Sequence, residues 1–318
     1  MYTGGMVMKK RIKFEKAVGE WLVYKKEFVK ESTCMMYSEV VYNYLMPKFR
    51  KKYVYEIKAE LVQQIVIDWM NNENEENRLA ESTVKCILVI LKDFLKYARM
   101  KNYIDNVDIS VQMPKRVSSK KIKVLKKNEY LKIVNSITER SSLRDIGILF
   151  TLFTGLRIGE ICALKWEDID IENMTVSVNK TMQRILVREE GKDVYTKVVV
   201  TVPKTSCSIR EIPLNTKLVN FLKKVMPKDR QTYFLTGSKK YIEPRTYRNH
   251  FNRILKKYDI SHINFHGLRH TFASKCIELG ADYKTVSELL GHASVNVTLN
   301  LYVHPQIEQK RKCVELLK

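Results

Sequence analysis

Residues His262–His304 read HINFHGLRHTFASKCIELGADYKTVSELLGHASVNVTLNLYVH. His266 and Arg269 stand three apart as H-x-x-R, His292 follows Leu-Gly, and Tyr302 comes ten residues after His292. At the start of a helix, a spacing of three places both basic side chains on one face. Two cationic donors then converge on one small anion. A tyrosine at a short fixed distance from them is what attack on a phosphodiester requires: a nucleophile, with cations nearby to hold the phosphate.

The composition fits such a target. A chain of 318 residues suits two domains, each with its own core. The formal net charge of +22 points to a polyanionic partner, nucleic acid or an anionic membrane surface. The membrane reading fails on length, since the longest apolar run, around Ile146 to Phe153, is far short of a span. No signal-peptide apolar region opens the chain. The six cysteines (Cys34, Cys86, Cys162, Cys207, Cys276, Cys313) are scattered without a C-x-x-C pair. They read as reduced thiols of a cytoplasmic protein, neither staples nor zinc ligands.

Upstream, the apolar spacing predicts a helical unit over residues 10–114. Its helices are expected at about Ile12 to Phe28, from a cap at Ser32 or Thr33 through Leu45 with Pro47 ending it, at Ala59 to Met70, and at Ser82 to Met100. Pro114 and the run KRVSSKKIKVLKK then predict an extended basic linker over 115–127. The second unit, 125–318, starts with a helix capped by Asn128 and running to Ile137. Another follows from Leu143 to Phe153 and stops at Gly155. Arg157 opens a short helix with the apolar face Ile158, Ile161 and Leu164. Three β-runs follow, Met174 to Val178, Val198 to Val202 and Ser208 to Pro213, with Lys204 on the P-K-T-S turn between the last two. Helices resume at Thr216 to Val225 and Arg245 to Lys257, and an amphipathic segment, Gln306 to Leu317, closes the chain. The fold class expected is mainly α, with a small antiparallel β-sheet in the second unit. Residues 1–116 carry +6 (21 basic minus 15 acidic) and 117–318 carry +16 (36 minus 20), so charge concentrates beside the candidate chemistry.

The set Arg157, Lys204, His266, Arg269, His292 and Tyr302 resembles the full catalytic signature of the tyrosine recombinase (phage integrase) family. The surrounding words match too: T-G-L-R-I-G-E, a lysine on a turn ahead of R-E-I-P-L, H-G-L-R-H-T-F-A, L-L-G-H-A-S and Y-V-H. The likeness covers roughly residues 120–305. The helical unit resembles, more loosely, the family's SAM-like core-binding domain. H-x-x-R alone is common by chance; six positions in order, each in its local context, are specific.

The resemblance implies a site-specific DNA recombinase whose two domains clamp duplex DNA. Tyr302 would form a covalent 3′-phosphotyrosyl link that conserves bond energy for rejoining. Arg157 and Arg269 would bind the non-bridging oxygens, each such donor being worth about 3–4 kcal/mol of barrier. Glu160, at i+3 from Arg157, would orient that guanidinium. His266 would accept the tyrosine proton or donate to phosphate, and His292 would add a further hydrogen bond. Lys204 would protonate the departing 5′ oxygen, with Lys197 and Lys192 as regional alternatives. His262, His270 and His304 lie outside the motif and lack acidic or cysteine partners at ligand spacing, so neither a metal nor another cofactor is expected.

The family likeness further implies four protomers on two duplexes, exchanging strands through a Holliday junction, with accessory DNA-bending or directionality factors as further partners. The segment after Tyr302 would dock on a neighbouring protomer or pack within its own. The chain begins almost at the helical unit, leaving no room for a separate arm-binding domain. Integration or excision of a mobile element is the leading role, with Xer-like resolution of chromosome dimers as the alternative. A type IB topoisomerase would use the same chemistry as a monomer. A DNA-binding regulator with a decayed site is disfavoured by the intact six-residue set.

Overall fold

A computed structural model describes residues 11–315 except 73, 106–108, 115–122, 139, 188–192, 204–205, 303–310 and 312–313. The chain divides into two compact units, Met1–Ser119 with Ile185–Lys197, and Lys120–Arg184 with Val198–Lys318.

The first unit holds α1 (Phe14–Lys26), α2 (Glu31–Val40), α3 (Met46–Phe49), α4 (Ala59–Asn71) and α5 (Glu81–Met100). In α5, Val84, Ile87, Leu88, Leu91, Phe94, Leu95 and Ala98 fall at helical spacing and are all buried. Phe94 meets Phe14 edge-on at 5.1 Å and Trp21 at 6.0 Å, and Trp21 stacks on Tyr37 at 5.4 Å. Burying one such ring contributes about 1.5–3 kcal/mol. Pro47 does not end the second helix as its sequence suggests. A π-helical segment, Val41–Leu45, carries the chain from α2 into α3, with Pro47 in the first turn of α3. The N–H of Met46 reaches back five residues to the carbonyl of Val41. Proline has no N–H to place, so shifting the register just before it forfeits no hydrogen bond at residue 47. The expected cap at Ser32 or Thr33 moves to Lys30, whose backbone is extended and whose carbonyl takes the first bonds, from Thr33 and Cys34.

From residue 120 onward the elements are α6 (Lys127–Ser136), α7 (Leu143–Thr154), α8 (Ile158–Ala163), β1 (Ile169–Asp170), β2 (Thr175–Val178), β3 (Thr181–Val187), β4 (Tyr195–Thr201), β5 (Arg210–Pro213), α9 (Thr216–Val225), α10 (Pro244–Lys257), α11 (His266–Glu278), α12 (Tyr283–Leu290) and α13 (Val295–Tyr302), all in the second unit except the end of β3 and the start of β4, which fall in Ile185–Lys197. Helix α7 is buried on nearly every side, through Ile146, Gly147, Ile148, Leu149, Phe150, Thr151 and Leu152, and α11 packs against it. Gly147 permits close packing: a Cβ there would lie 2.3 Å from Leu235 and 2.5 Å from the Tyr247 hydroxyl. Asn128 stands inside α6, and Lys126 precedes the helix, its N–H donating to Glu129 at 2.8 Å.

The strands differ from the single sheet expected. β2 pairs antiparallel with both β1 and β5, whereas β4 pairs with β3 in a separate two-stranded sheet. Strand β3, TMQRILV, has no matching expectation, because Gln183 and Arg184 interrupt its apolar residues. Most of the expected linker (115–122), most of the terminal segment from Gln306, Lys192 and Cys313 lie outside the described residues. The described cysteines, Cys34, Cys86, Cys162, Cys207 and Cys276, are free thiols. Among the described residues no helix is long and apolar enough to cross a membrane.

Candidate active site

The site is built around the C-terminal end of α12. Asp282 caps the start of this helix by accepting the Thr285 N–H at 2.9 Å. Gly291 ends it in the left-handed conformation, φ 63°. A helix end leaves its last carbonyls without helical partners and carries a partial negative charge. Three guanidinium groups satisfy both needs here. Arg210 Nε donates to the Leu289 carbonyl at 2.7 Å, Arg269 Nη2 to Leu290 at 2.6 Å, and Arg157 Nη2 to Gly291 at 3.0 Å. Arg269 Nη1 also donates at 3.0 Å to the carbonyl of Gly155, the left-handed residue that closes α7.

Arg157 sits at the N-cap of α8, and its neighbour one turn on is Glu160. That carboxylate accepts from Arg157 Nη1 at 2.7 Å, from the Arg157 backbone N–H at 2.9 Å, and from Arg210 Nη1 and Nη2 at 3.1 and 3.0 Å. Burial works to raise the Glu160 pKa, but hydrogen bonds and charge from Arg210, then Arg157, hold it below the usual carboxylate range. The three arginines differ sharply in access. The side chain of Arg157 is 34% exposed and that of Arg210 6%, and residue Arg269 is 1% exposed. Arg157 therefore presents the open guanidinium, while Arg269 acts at this site mainly as a fixed buried charge.

Two histidines share that field. His292 Nδ1 lies 2.9 Å from the hydroxyl of Thr298, a fully buried residue of α13. Desolvation, then the charges of Arg269 and Arg157, push the His292 pKa down to about 4. His266 opens α11, where Asn264 accepts the Gly267 N–H at 2.9 Å. Its ring meets His270 edge-on at 4.6 Å. Desolvation, then Arg269 and Arg157, lower its pKa as well. Both imidazoles are thus neutral near pH 7, able to accept a proton or donate one.

Of the six residues expected from sequence, four are gathered here: Arg157, His266, Arg269 and His292. Helix α13 packs on α11 and α12 and ends at Tyr302, one turn beyond Thr298. Lys204 lies outside the described residues, as does His304. Among the described residues no group of three or more His, Cys, Asp or Glu is arranged to hold a metal ion. Arg210 is the residue the sequence reading missed. Its signal was present: in β5 it shares a face with Ile212 and Leu214, so a strand places a guanidinium in phase with two core residues.

Gly291 tests this construction. Its positive φ disfavours any Cβ, and an added Cβ would lie 2.8 Å from the Cys207 carbonyl and 3.1 Å from Arg210 Cδ. Gly291→Ala is expected to lose about 1–2 kcal/mol from the left-handed backbone alone, read as a lowered denaturation midpoint, and to slow DNA cleavage by moving the carbonyl that holds Arg157. Unchanged stability and unchanged cleavage would show that this helix end does not set the site.

A mainly helical domain with arginines and histidines focused in this order defines the class of the tyrosine recombinases. The chain belongs to the phage integrase family, whose model matches residues 123–309. It is 27% identical over 321 residues to a XerC-like tyrosine recombinase of Caldanaerobacter subterraneus subsp. tengcongensis, covering 91% of this chain and 78% of that one. It is 28% identical over 213 residues to the ICEBs1 integrase of Bacillus subtilis, covering 63% and 55%. In fold it resembles the Tn1549 transposon integrase solved in complex with transposon right end DNA, with a TM-score of 0.75, 22% identity, and 96% and 99% of the two chains covered.

Proposed function

We propose that this recombinase cleaves and rejoins duplex DNA through a 3′-phosphotyrosyl link made by Tyr302. The observation that carries this reading is the end of α12. There one open guanidinium, Arg157, is backed by the buried charges of Arg269 and Arg210 and flanked by two neutral imidazoles. A phosphate placed against Arg157 would meet N–H donors already held in position. Fixed donors cost no reorganisation as charge develops on the non-bridging oxygens. The Tyr302 oxygen attacks phosphorus, the P–O5′ bond breaks, neutral His266 takes the phenolic proton, and Lys204 supplies a proton to the leaving 5′ oxygen. In the tautomer where His292 Nδ1 accepts from the Thr298 hydroxyl, the ring carries its proton on Nε2 and donates it towards the phosphate. Rejoining is the reverse.

The helical unit, 10–114, serves as the core-binding domain and 125–318 as the catalytic domain, joined by the basic linker. The partner is double-stranded DNA, synapsed as a homotetramer in the cytoplasm, with accessory DNA-bending or directionality factors. The likeness to integrases of mobile elements favours integration and excision. The XerC-like relative keeps dimer resolution as the alternative.

Because the guanidinium groups supply the positive charge, covalent adducts on randomised-sequence duplexes should form equally with excess EDTA. They would be read as labelled DNA precipitated with protein by SDS and potassium, and released by protease. No adduct under any condition would overturn the reading. A lasting loss in EDTA, restored only by added divalent ion, would overturn the metal-free assignment alone.

A further inference from the structure

We infer that Arg210 is a positioning residue for DNA cleavage, acting through Glu160 to hold Arg157 and the end of α12 in the geometry that receives the phosphate. The inference rests on the function proposed above.

Its guanidinium makes four hydrogen bonds that join three parts of the chain. Two go to the Glu160 oxygens as a planar fork, one to the Leu289 carbonyl at 2.7 Å, and one to the Ser208 carbonyl at 3.1 Å. Glu160 Oε1 is shared between Arg210 and Arg157, and Oε2 also fixes the Arg157 backbone. The Arg210–Glu160 pair is almost sealed, with side chains 6% and 3% exposed. Arg157 gives one Nη1–H to Glu160 and one Nη2–H to Gly291, and among the described residues its other three N–H groups have no hydrogen-bond partner. A buried carboxylate stays ionised only while it is paired. If Glu160 became protonated, it would lose acceptor capacity on one oxygen and release either the fork or Arg157. Arg210 is thus the group that keeps Arg157 aimed across the working pH range. The charged groups around Glu160 are Arg157 at the start of α8 and Arg210 on β5, and the titratable neutral His266 on α11 also faces it. Asp168 and Lys180, ion-paired at 3.1 Å, line the small cavity on another side.

The test is the pH dependence of single-turnover adduct formation on duplexes selected from a randomised pool by covalent trapping with the wild-type chain. Wild type and Tyr302→Phe run alongside; if wild type makes no adduct, or Tyr302→Phe makes it, the underlying function has failed rather than this inference. Arg210→Gln should bind the selected duplex as wild type does and form adduct about 10–100-fold more slowly at neutral pH. It should also gain a second acidic limb beyond the one His266 gives wild type, its rate falling further as pH drops through a raised Glu160 pKa. Glu160→Gln with Arg210→Gln should abolish that limb, since no carboxylate is left to titrate. Arg210→Lys keeps a charge beside Glu160 but loses the fork, so it should regain the wild-type pH profile with a reduced rate, and it serves if Arg210→Gln fails to fold. A rate unchanged in Arg210→Gln, a pH profile parallel to wild type, or persistence of the added limb, over and above that of His266, in the double variant would overturn the role. So would an acidic limb in Arg210→Lys equal to that expected of the glutamine variant.

Discussion

Tyr302→Phe is expected to bind DNA with wild-type affinity and to form no covalent complex. The substitution removes one oxygen, so the packing of α13 on α11 and α12 and the arginines at the end of α12 are left in place. Binding comes from the basic surface, +22 overall, and from phosphate contacts that need no hydroxyl. Without the phenolic oxygen no phosphotyrosyl bond can form, so adduct should be absent and overall strand cleavage should fall by a factor on the order of 10⁶, the scale at which enzymes depend on such a group. Tyr247 of the same domain is a poor substitute. It is fully buried, its hydroxyl donates to the Arg144 carbonyl at 2.9 Å, and burial pushes its pKa well above the ordinary value. For wild type, adduct formation should slow as pH falls through the lowered pKa of His266, because the protonated ring cannot take the phenolic proton. A protease-sensitive adduct from the Phe variant would mean that another residue attacks.

The site was more legible in the sequence than the sheet was. Arg157, His266, Arg269 and His292 each occupy a word whose local structure is forced: a left-handed glycine before the arginine's helix, H-x-x-R on one helix face, a left-handed glycine before His292. These are short-range constraints, so a one-dimensional reading captures them. What the sequence could not show was that Arg269 would be buried to 1% while Arg157 remained open, since that depends on which carbonyls three separate segments bring together. Strand pairing is non-local in the same way. The run at 198–202 reads as a neighbour of 208–213, but β4 pairs with β3, and β5 instead reaches back to β2, with Ile212 opposite Val176. Arg210 escaped notice because it was read as context for the lysine before it, although its place on the inward face of β5 marks a charge that needs a buried partner. Pro47 misled for a local reason: the rule that proline stops a helix assumes an α-helical register, and the π segment before it removes that assumption.

Lys204→Ala is expected to cleave ordinary DNA slower by roughly 10²–10⁴-fold, the usual contribution of a general acid, and to recover most of that loss on DNA with sulfur in the 5′-bridging position. A 5′ alkoxide is a strongly basic leaving group and departs poorly unless it receives a proton as the P–O bond breaks. A thiolate is far less basic and leaves without one. The substitution therefore separates proton donation from charge stabilisation at the same phosphate. Arg157→Ala removes donors to the non-bridging oxygens and Arg269→Ala removes buried charge that stabilises them, and sulfur in the bridge leaves either deficit untouched. Those variants should stay slow on both substrates. Arg269→Ala carries a second cost, because the carbonyls of Gly155 and Leu290 lose their guanidinium partner and two helix ends loosen. Its thermal midpoint should fall, whereas that of Lys204→Ala should not. Equal rescue of all three variants, or none for Lys204→Ala, would show that this lysine does not protonate the leaving group. Lys197, on β4 of the same region, would then be the next residue to change, tested by whether its alanine variant regains its rate on the sulfur-bridged duplex.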